Sequence, residues 1–549
     1  YFRNSLRWND EDWQDYARRM ALSLFKMEWL PPGRGLWMMG TDFVYERGSM
    51  ALNNCSATDT TNDLVHSAEW TMDGLMNGVG VGFSTSWRGT ATAPDKEDSE
   101  TFVIPDSREG WVESLIKLMC AYIDSPRYGT NKFPVFDYSQ IREKGLPIKG
   151  FGGMSSGPEP LQKMHTRIEG YLDAFCAGEL VVPAKEKTEW SEATPEVKKP
   201  YSHTRLIADI FNSIGACVVA GNVRRSAEIC LGDVNDNDFI NLKNYTDNPE
   251  RMEIGWMSNN SVSLTSGDDF EDFSYIPDMA KRIVDNGEPG MINLYNMQKY
   301  GRYGKESPDE ANLCNPCGEI CLENFELCNL SEVFPHRCNG LEVFNEALKY
   351  ATFYSTSVSL LPTSRPETNA VIAKNRRIGV SISGIAQWVS GAAPKEWGLM
   401  NYTRLTRILR DGYKIVRAEN KRLAKGAGVP ESIRVTTIKP SGSISLLAGA
   451  TAGVHYPVSR YAIRRVRVAN DSPLVPSLKE AGVPHEKDSY SDNTLVFEFT
   501  IDHGDVRPCE EVSPWEQFSL VAMLQRCWSD NMVSATVYFD KVKDAPEIE

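Results

Sequence analysis

Asn312-Leu-Cys-Asn-Pro-Cys-Gly-Glu-Ile320 sets an amide (Asn315), a thiol (Cys317) and a carboxylate (Glu319) at alternate positions. In an extended or looped backbone, residues two apart point to the same side, so the three side chains can converge on one small substrate. Pro316 and Gly318 between them disfavour a helix and suit a tight loop. A thiol between a hydrogen-bonding amide and a carboxylate able to act as general base makes a one-substrate constellation. The same stretch has two other readings. Cys314-x-x-Cys317, with Cys321 and Cys328 following, can supply four thiolates to zinc or an iron–sulfur cluster, and free cysteines are often small residues of a core. Spacing leaves all three open, so a cysteine-rich metal-binding protein stands as the alternative of a different class.

Around this stretch the composition sets limits. Five of the twelve cysteines (Cys314, Cys317, Cys321, Cys328, Cys338) crowd one short region, and the rest are scattered, which points to redox chemistry or metal before structural bridges. A chain of 549 residues with 41% apolar residues is long enough for a large core with appended elements. The net charge of -15 argues against a nucleic-acid binder built on a basic face, so acidic substrates must meet local donors. No apolar run approaches the roughly 20 residues that span a bilayer, and Tyr1-Phe2-Arg3 has no signal-peptide layout, so no membrane partner and a cytoplasmic location are expected. The first residue is not Met and the last, Glu549, closely follows a strand-like run, so one or both ends of a longer chain are expected to be missing.

Periodicity gives helices and strands in alternation. Asn9 with Asp10, Glu11 and Asp12 reads as a helix start, and Trp13, Tyr16, Ala17, Met20 and Leu24 repeat at helical spacing up to Pro31-Pro32. Further stripes run from Leu206 to Cys217 before Gly221-Asn222, and from Leu405 to Leu423 before Gly426 and Gly428. Strand-like runs are Gly78–Phe83, Ile378–Ile382 and Val533–Phe539. This alternation predicts an α/β architecture with largely parallel strands, open or closed. Pro183 to Pro200, rich in charge, Thr and Pro, reads as a solvated excursion without a catalytic role. There is no G-x-x-x-x-G-K-[ST], hence no P-loop, and no internal repeat is apparent.

Asn315-Pro-Cys-Gly-Glu-Ile320, with Cys328-Asn-Leu330 beyond it, closely resembles the active-site signature of ribonucleotide reductases. Other segments agree in the family's order: Leu30-Pro-Pro-Gly-Arg-Gly-Leu-Trp-Met-Met-Gly-Thr41, Leu52-Asn-Asn-Cys55, Gly150-Phe-Gly-Gly-Met-Ser-Ser-Gly-Pro158, Gly221-Asn-Val-Arg-Arg-Ser-Ala-Glu-Ile229, Arg377-Ile-Gly-Val380 and Thr437-Ile-Lys-Pro-Ser-Gly-Ser443. Their wording is most similar to the monomeric class II ribonucleoside-triphosphate reductases, and they span Leu30 to Phe539.

The resemblance implies a ten-stranded α/β barrel of two parallel five-stranded halves, with Cys317 on a finger loop through its centre. Residues 1–50 would be an N-terminal helical segment and barrel entry, 51–549 the catalytic barrel, and 101–220 an inserted effector-binding-like region. Cys317 would carry the thiyl radical that takes the 3′ hydrogen, Glu319 would accept the 3′-hydroxyl proton, and Asn315 would hold the substrate. Cys55 and Cys328 would be the reducing pair, ending each turnover as a disulfide, with Cys55 the proton donor to the leaving 2′-hydroxyl. Two neighbouring thiols can supply the two electrons that loss of water at the 2′ carbon requires. The implied cofactor is adenosylcobalamin, since generating a thiyl lies beyond side-chain acid–base chemistry; no D-x-H-x-x-G run is present to ligate its cobalt, and no metal ligands are assigned. Ser441, Gly442 and Ser443 are the expected phosphate loop, small residues that let backbone N–H groups approach oxyanions; His455 is read as structural. Asn222, Arg224 and Arg225 lie on the stretch resembling the loop that links effector to substrate choice. Implied partners are a ribonucleoside triphosphate, a deoxynucleoside triphosphate effector and thioredoxin or a similar thiol reductant, acting on a monomer. The family's usual tail with a second cysteine pair has no counterpart after Cys527. The rival within the superfamily is a class I-like catalytic subunit that reduces diphosphates with a separate radical-generating subunit.

Overall fold

The computed structural model describes residues 10–148, 154–182, 196–220, 227–265, 274–299, 309–391, 394–397, 400–470, 472–489, 494–540, 542 and 544. The chain first lays down β1 (Trp29–Leu30), β2 (Cys55–Thr58) and β3 (Gly80–Ser84). An excursion follows, in which β4 (Ser99–Val103) runs parallel to β5 (Phe133–Asp137) and β6 (Glu179–Val182) antiparallel to β7 (Val197–Pro200). The chain returns as β8 (Glu228–Asp233), β9 (Ser258–Leu264) and β10 (Gly290–Asn293). The short strands β11 (Leu313–Cys314) and β12 (Cys321–Leu322) then precede β13 (Leu327–Val333) and β14 (Ile378–Ile382). A second excursion carries β15 (Tyr461–Ala469), β16 (His485–Lys487) and β17 (Thr494–Asp502) as a separate antiparallel sheet.

Eight strands form the main sheet. Within it β2, β3, β8, β9 and β10 are neighbours in that order, all parallel. Parallel neighbours require crossovers; helix Leu64–Met76 supplies the one from β2 to β3, and Ile276–Asn286 the one from β9 to β10. At β2 the direction reverses. β13 lies antiparallel to it, and β14 continues parallel to β13 after helix Leu341–Ser359. Isolated parallel bridges, Val380 to Thr436 and Ile438 to Val533, extend this second group. The fold is therefore mixed α/β, with antiparallel pairings of β13 to β2 and to β1 in an otherwise parallel sheet. Among the described residues no helix is long and apolar enough to cross a membrane.

Core packing follows the same division. One cluster, with Trp70, Phe83 and Phe211, packs helices onto the first strand group, and a second, with Phe344, Trp388, Leu409 and Trp528, serves the second group. A third joins β8, β10 and β13 through Ile229, Leu231, Ile292 and Leu330 to the hairpin residues Leu313, Cys314, Ile320, Cys321 and Leu322. The hairpin is thus a core element shared by both groups. Its approach needs bare backbone: a Cβ on Gly82 would stand 1.9 Å from the Cys314 carbonyl oxygen, and one on Gly80 3.0 Å from the Pro316 ring. On the far side, a Cβ on Gly379 of β14 would meet Leu330 at 2.5 Å and Ile320 at 2.9 Å.

Several local expectations change. The first helix is Asp10–Phe25 and stops short of Pro31-Pro32, because β1 intervenes; Asn9 lies outside the described residues. Helices His203–Val219 and Tyr402–Ala427 hold the two predicted stripes, the latter capped by Gly428 in the left-handed region. Val533–Phe539 is not a strand: only Val533 pairs, through a single bridge, because the neighbouring segment reaches the sheet at one point. Of the Pro183 to Pro200 excursion, 183–195 lies outside the described residues, and Val197–Pro200 pairs as β7 instead of remaining irregular.

If the hairpin rests on bare backbone, Gly82→Ala lowers stability by about 3 kcal/mol through an overpacking clash with main chain. Gly170→Ala, in a helix where a Cβ meets nothing within 4 Å, raises it by about 0.5–1 kcal/mol. Thermal denaturation of the two variants checks the contrast, and equal stabilities would contradict the packing.

Candidate active site

The hairpin begins with Cys314 opposite Cys321 in the β11–β12 ladder. Asn315 N–H donates to the Ile320 carbonyl at 3.1 Å, and Gly318 N–H to the Asn315 carbonyl at 2.8 Å, so the chain reverses within the Asn-Pro-Cys-Gly-Glu run. Gly318 sits at φ +69°, the left-handed value that glycine takes without strain. Asn315 then uses both ends of its amide. Its Oδ1 accepts from Ile320 N–H at 2.8 Å, while Nδ2 donates to Glu319 Oε2 at 2.5 Å and to Cys55 Sγ at 3.2 Å. Amide and carboxylate therefore meet across a turn, and Cys317 occupies its tip. The Glu319 carbonyl is fixed from the second strand group by Met532 N–H at 3.0 Å and Thr437 Oγ1 at 2.7 Å. From the first group, Asn259 Nδ2 donates to the Pro316 carbonyl at 3.2 Å.

Cys55 opens β2 and pairs in register with Cys328 on β13, at the point where the sheet reverses direction. Antiparallel partners have Cα atoms about 4.5–5.5 Å apart, inside the roughly 4.4–6.8 Å that a disulfide bridges. Both are free thiols here, Cys328 Sγ donating to the Asn329 carbonyl at 3.3 Å. The structure thus brings Cys55, Asn315, Glu319 and Cys328 together around the hairpin, with Cys317 at its tip.

The electrostatics favour protonated groups. Burial pushes the Cys55 thiol up to about 12, with the Glu319 carboxylate adding to it. Cys328 and Cys317 are raised too, again by burial first, then by Cys55 for the former and Glu319 for the latter. Cys317 is exposed at the turn, and the protein around it still raises its thiol. Glu319 is raised above the usual carboxylate range by burial, opposed by its Asn315 hydrogen bond and by the Lys439 charge.

Two buried charge networks hold the surroundings. Arg377 grips Asp309 through both terminal nitrogens, at 2.7 and 2.8 Å, and reaches Glu326 at 3.0 Å and Cys321 Sγ at 3.1 Å. Arg434 joins the same Asp309 at 2.5 Å. Burial pushes the Asp309 carboxyl up, but the two guanidiniums outweigh it and hold the group far below the carboxylate range. The hairpin stem is thereby tied to the start of β14. On the other side Glu332, fully buried on β13, accepts from Lys439 Nζ and Ser441 Oγ, each at 2.9 Å, and from Ser383 Oγ.

The Ser441–Ser443 segment leads into helix Ile444–Ala448, with Gly442 and Ser443 exposed and the Ser441 hydroxyl committed to Glu332. His455 bonds the Ala452 carbonyl and accepts from Thr536 N–H, both at 2.9 Å, and so serves chain packing. Asn222, Arg224 and Arg225 lie outside the described residues. Among the described residues no three His, Cys, Asp or Glu side chains are grouped to hold a metal ion.

Sequence reasoning passed over Arg34, Glu332 and Lys439. Arg34 bonds the carbonyls of Ala51 and Gly78 and carries its charge toward Cys55. Glu332 lies in a strand buried along its whole length, where a carboxylate needs a buried partner, and the partner is distant in sequence.

Comparisons with known proteins converge on one family. Residues 80–172 match the insertion domain of B12-dependent ribonucleotide reductases, and residues 1–41 the ribonucleotide reductase alpha domain. The chain is 39% identical, over its full length and 70% of the relative, to a probable adenosylcobalamin-dependent ribonucleoside-triphosphate reductase of Dictyostelium discoideum. It is 41% identical, over 97% of its length and 69% of the relative, to the adenosylcobalamin-dependent ribonucleoside-triphosphate reductase of Euglena gracilis. A crystal structure of a B12-dependent class II ribonucleotide reductase superposes with a TM-score of 0.79 at 29% identity, covering 98% of this chain and 82% of the other.

A carboxyl whose folded-state pKa is raised makes its stabilising contribution at low pH and loses it as pH rises through the raised value. Burial does this to Glu319, so Glu319→Gln melts at a higher temperature than the unsubstituted chain at neutral pH. The advantage shrinks as the pH falls toward the ordinary carboxylate value. Paired thermal melts across that window check it, and a Gln variant that is less stable at neutral pH would contradict the electrostatic reading.

Proposed function

The chain belongs to the B12-dependent ribonucleotide reductases, and we propose from that membership and the hairpin site that it reduces ribonucleoside triphosphates to 2′-deoxyribonucleoside triphosphates. The observation that carries the residue roles is the in-register Cys55–Cys328 pair lying beside Asn315, which also bonds Glu319.

The cofactor is adenosylcobalamin, as in the named relatives. The site suits a radical initiator in one observable respect: Cys317 is accessible at the hairpin tip while desolvation keeps its thiol protonated. When bound, adenosylcobalamin supplies the one-electron chemistry that converts the Cys317 S–H to a thiyl. Cys317 then takes the 3′ hydrogen atom of the ribose and returns it at the end of the turnover. Glu319 accepts the 3′-hydroxyl proton, and Asn315 orients that carboxylate and the substrate hydroxyls. Cys55 protonates the leaving 2′-hydroxyl. Water departs, the 2′ carbon gains hydrogen, and the two electrons come from Cys55 and Cys328, which become a disulfide. A dithiol such as thioredoxin restores the pair, in a cytoplasm where thiols stay reduced.

The same reading places β2, β3, β8, β9 and β10 as one five-stranded half of a ten-stranded barrel. β13, β14 and the bridged segments at Thr436, Ile438 and Val533 belong to the other half, with the hairpin as central finger. We assign the substrate phosphates to Ser441, Gly442 and Ser443, the last two being the exposed pair. A deoxynucleoside triphosphate effector is assigned to the inserted region 101–220. A cleft there has Arg108 and Arg142, paired with Asp73 and Asp106, beside Ser107, Ser155, Ser156 and Trp111 on a lining that is otherwise apolar, and offers cations, hydroxyls and an aromatic ring to a nucleotide. Asn222, Arg224 and Arg225 would relay its occupancy, and effector and substrate affinities are then coupled reciprocally. The enzyme acts as a monomer in this reading.

Cys317→Ala folds normally yet yields no deoxynucleotide when given adenosylcobalamin, a ribonucleoside triphosphate and a dithiol; appreciable product would sink the radical assignment. A single turnover of the unsubstituted enzyme without reductant leaves Cys55 and Cys328 as the disulfide in peptide mass spectrometry.

A further inference from the structure

Cys314 and Cys321 face each other across the β11–β12 ladder, and no step of the reduction uses either. Asn315 N–H bonds the Ile320 carbonyl at the turn. By the alternation of an antiparallel ladder the next pair, Cys314 with Cys321, is then the non-hydrogen-bonded kind, with Cα atoms about 4.5 Å apart and both side chains on one face. That separation lies inside the roughly 4.4–6.8 Å that a disulfide bridges. Both thiols are free and fully buried. The chain therefore holds two cross-strand cysteine pairs, Cys55 with Cys328 and Cys314 with Cys321. They meet at the hairpin, because Asn315, next to Cys314, donates to Cys55 Sγ at 3.2 Å.

The two sulfurs of the second pair are not alike. Cys314 belongs to the apolar cluster with Ile229, Leu231 and Leu330. Cys321 Sγ accepts from Arg377 Nη1 at 3.1 Å and donates to Asn531 Oδ1 at 3.3 Å. Burial pushes its thiol up to about 12, and the charges of Arg377 and Arg434 oppose that rise. A guanidinium on the sulfur favours the thiolate, which is the reactive form, so Cys321 is the member equipped to react. A small molecule also has a way in. A cleft of about 680 Å³ is lined by Arg434, Asn531 and Met532, and Asn531 is the residue that takes the Cys321 S–H, so the cleft and the sulfur are separated by one side chain.

We propose that Cys314 and Cys321 are a second redox-active pair, in which hydrogen peroxide closes a disulfide across the base of the hairpin that carries Cys317. The Cys321 thiolate first attacks the peroxide: an S–O bond forms, the O–O bond breaks, hydroxide leaves, and the sulfur is oxidised by two electrons to the sulfenic acid. Cys314 then attacks that sulfur. The S–S bond forms, the S–O bond breaks, and the Cys314 proton departs with the hydroxyl as water, so two thiols and one peroxide give one disulfide and two waters. The bridge closes residues 314–321 into a ring with Cys317 in its turn, and it removes the hydrogen that Cys321 gives to Asn531. Met532, next to Asn531, holds the Glu319 carbonyl, so closure disturbs the anchor of the hairpin and halts turnover until a dithiol reopens the pair. The bond chemistry stands apart from the reductase reading, and only the effect on turnover rests on it.

The test is peptide mapping of the unsubstituted chain. Reduced protein, without cofactor or nucleotide, is treated with hydrogen peroxide, alkylated, and cut after glutamate under non-reducing conditions. Ala311–Glu319, which carries Cys314 and Cys317, and Ile320–Glu323, which carries Cys321, are expected as one linked species that dithiothreitol separates. Fragment ions are expected to place the bond at Cys314. A bond from Cys321 to Cys317, or no bond to Cys321, overturns the proposal. Leu327–Glu332, which carries Cys328, reports on the Cys55–Cys328 pair in the same digest, so failure of one pair is read separately from failure of the other. Cys321→Ser retains a donor for Asn531 and loses the linkage. For the effect on turnover, peroxide-treated enzyme is given adenosylcobalamin, a ribonucleoside triphosphate and dithiol. The unsubstituted chain shows a lag before deoxynucleotide appears that is shorter in Cys321→Ser treated alike, and equal lags overturn the regulatory role.

Discussion

The carbonyl oxygen of Cys314 rests where a side chain on residue 82 would otherwise stand. That single close approach sets the layout of the site. A two-strand hairpin can lie against a sheet at this distance only over glycine backbone, and β3 presents Gly80 and Gly82 on alternate positions, hence on one face. β14 gives way on the opposite side at Gly379. With both strand groups thinned at the contact, the hairpin becomes part of the core, and its turn is carried to the place where β2 meets β13. Cys55 and Cys328 are ladder partners there because the sheet reverses direction between those two strands.

Burying a polar turn so deeply is expensive unless each group finds a partner, and the structure answers with dense pairing. Asn315 satisfies Ile320, Glu319 and Cys55 at once. The Arg377–Asp309–Arg434 cluster locks the stem through Cys321, and Glu332 anchors the opposite wall. The same burial raises every thiol of the site, Cys55 to about 12. For nucleophilic catalysis this would be a handicap, since the thiolate is the reactive form. For hydrogen-atom and proton transfer it is an asset, because each sulfur then retains its hydrogen. Burial raises the Glu319 carboxyl in the same sense, and its Asn315 hydrogen bond is the largest influence that opposes the rise.

The excursions tell a different story. The first leaves the sheet after β3 and returns at β8, so whatever binds within it can act on the strand that borders the Gly80–Gly82 platform. The second, β15 to β17, forms a separate sheet with its own small core of Val475, Leu495 and Phe497. Neither position follows from the local patterns of the excursions, which are ordinary helices and short strand pairs.

Sequence alone determined the chemistry-bearing residues and the local structure around them. Asn315, Cys317 and Glu319 are contiguous, Pro316 and Gly318 demand a turn, and the long apolar stripes and the Ile378–Ile382 run locate helices and a strand, because these are short-range steric and periodic effects. Resemblance across widely spaced segments added Cys55 and Cys328, which no local pattern could have joined to the hairpin. Tertiary structure decided what depends on contacts between distant residues: that Val533–Phe539 touches the sheet at one point instead of forming a strand, that Ser441 spends its hydroxyl on Glu332, and that Lys439 pairs with the same carboxylate. Electrostatics and packing in a low-dielectric interior depend on distance through space and not along the chain. A lysine more than a hundred residues from Glu332 could therefore be recognised as its partner only once the chain was folded.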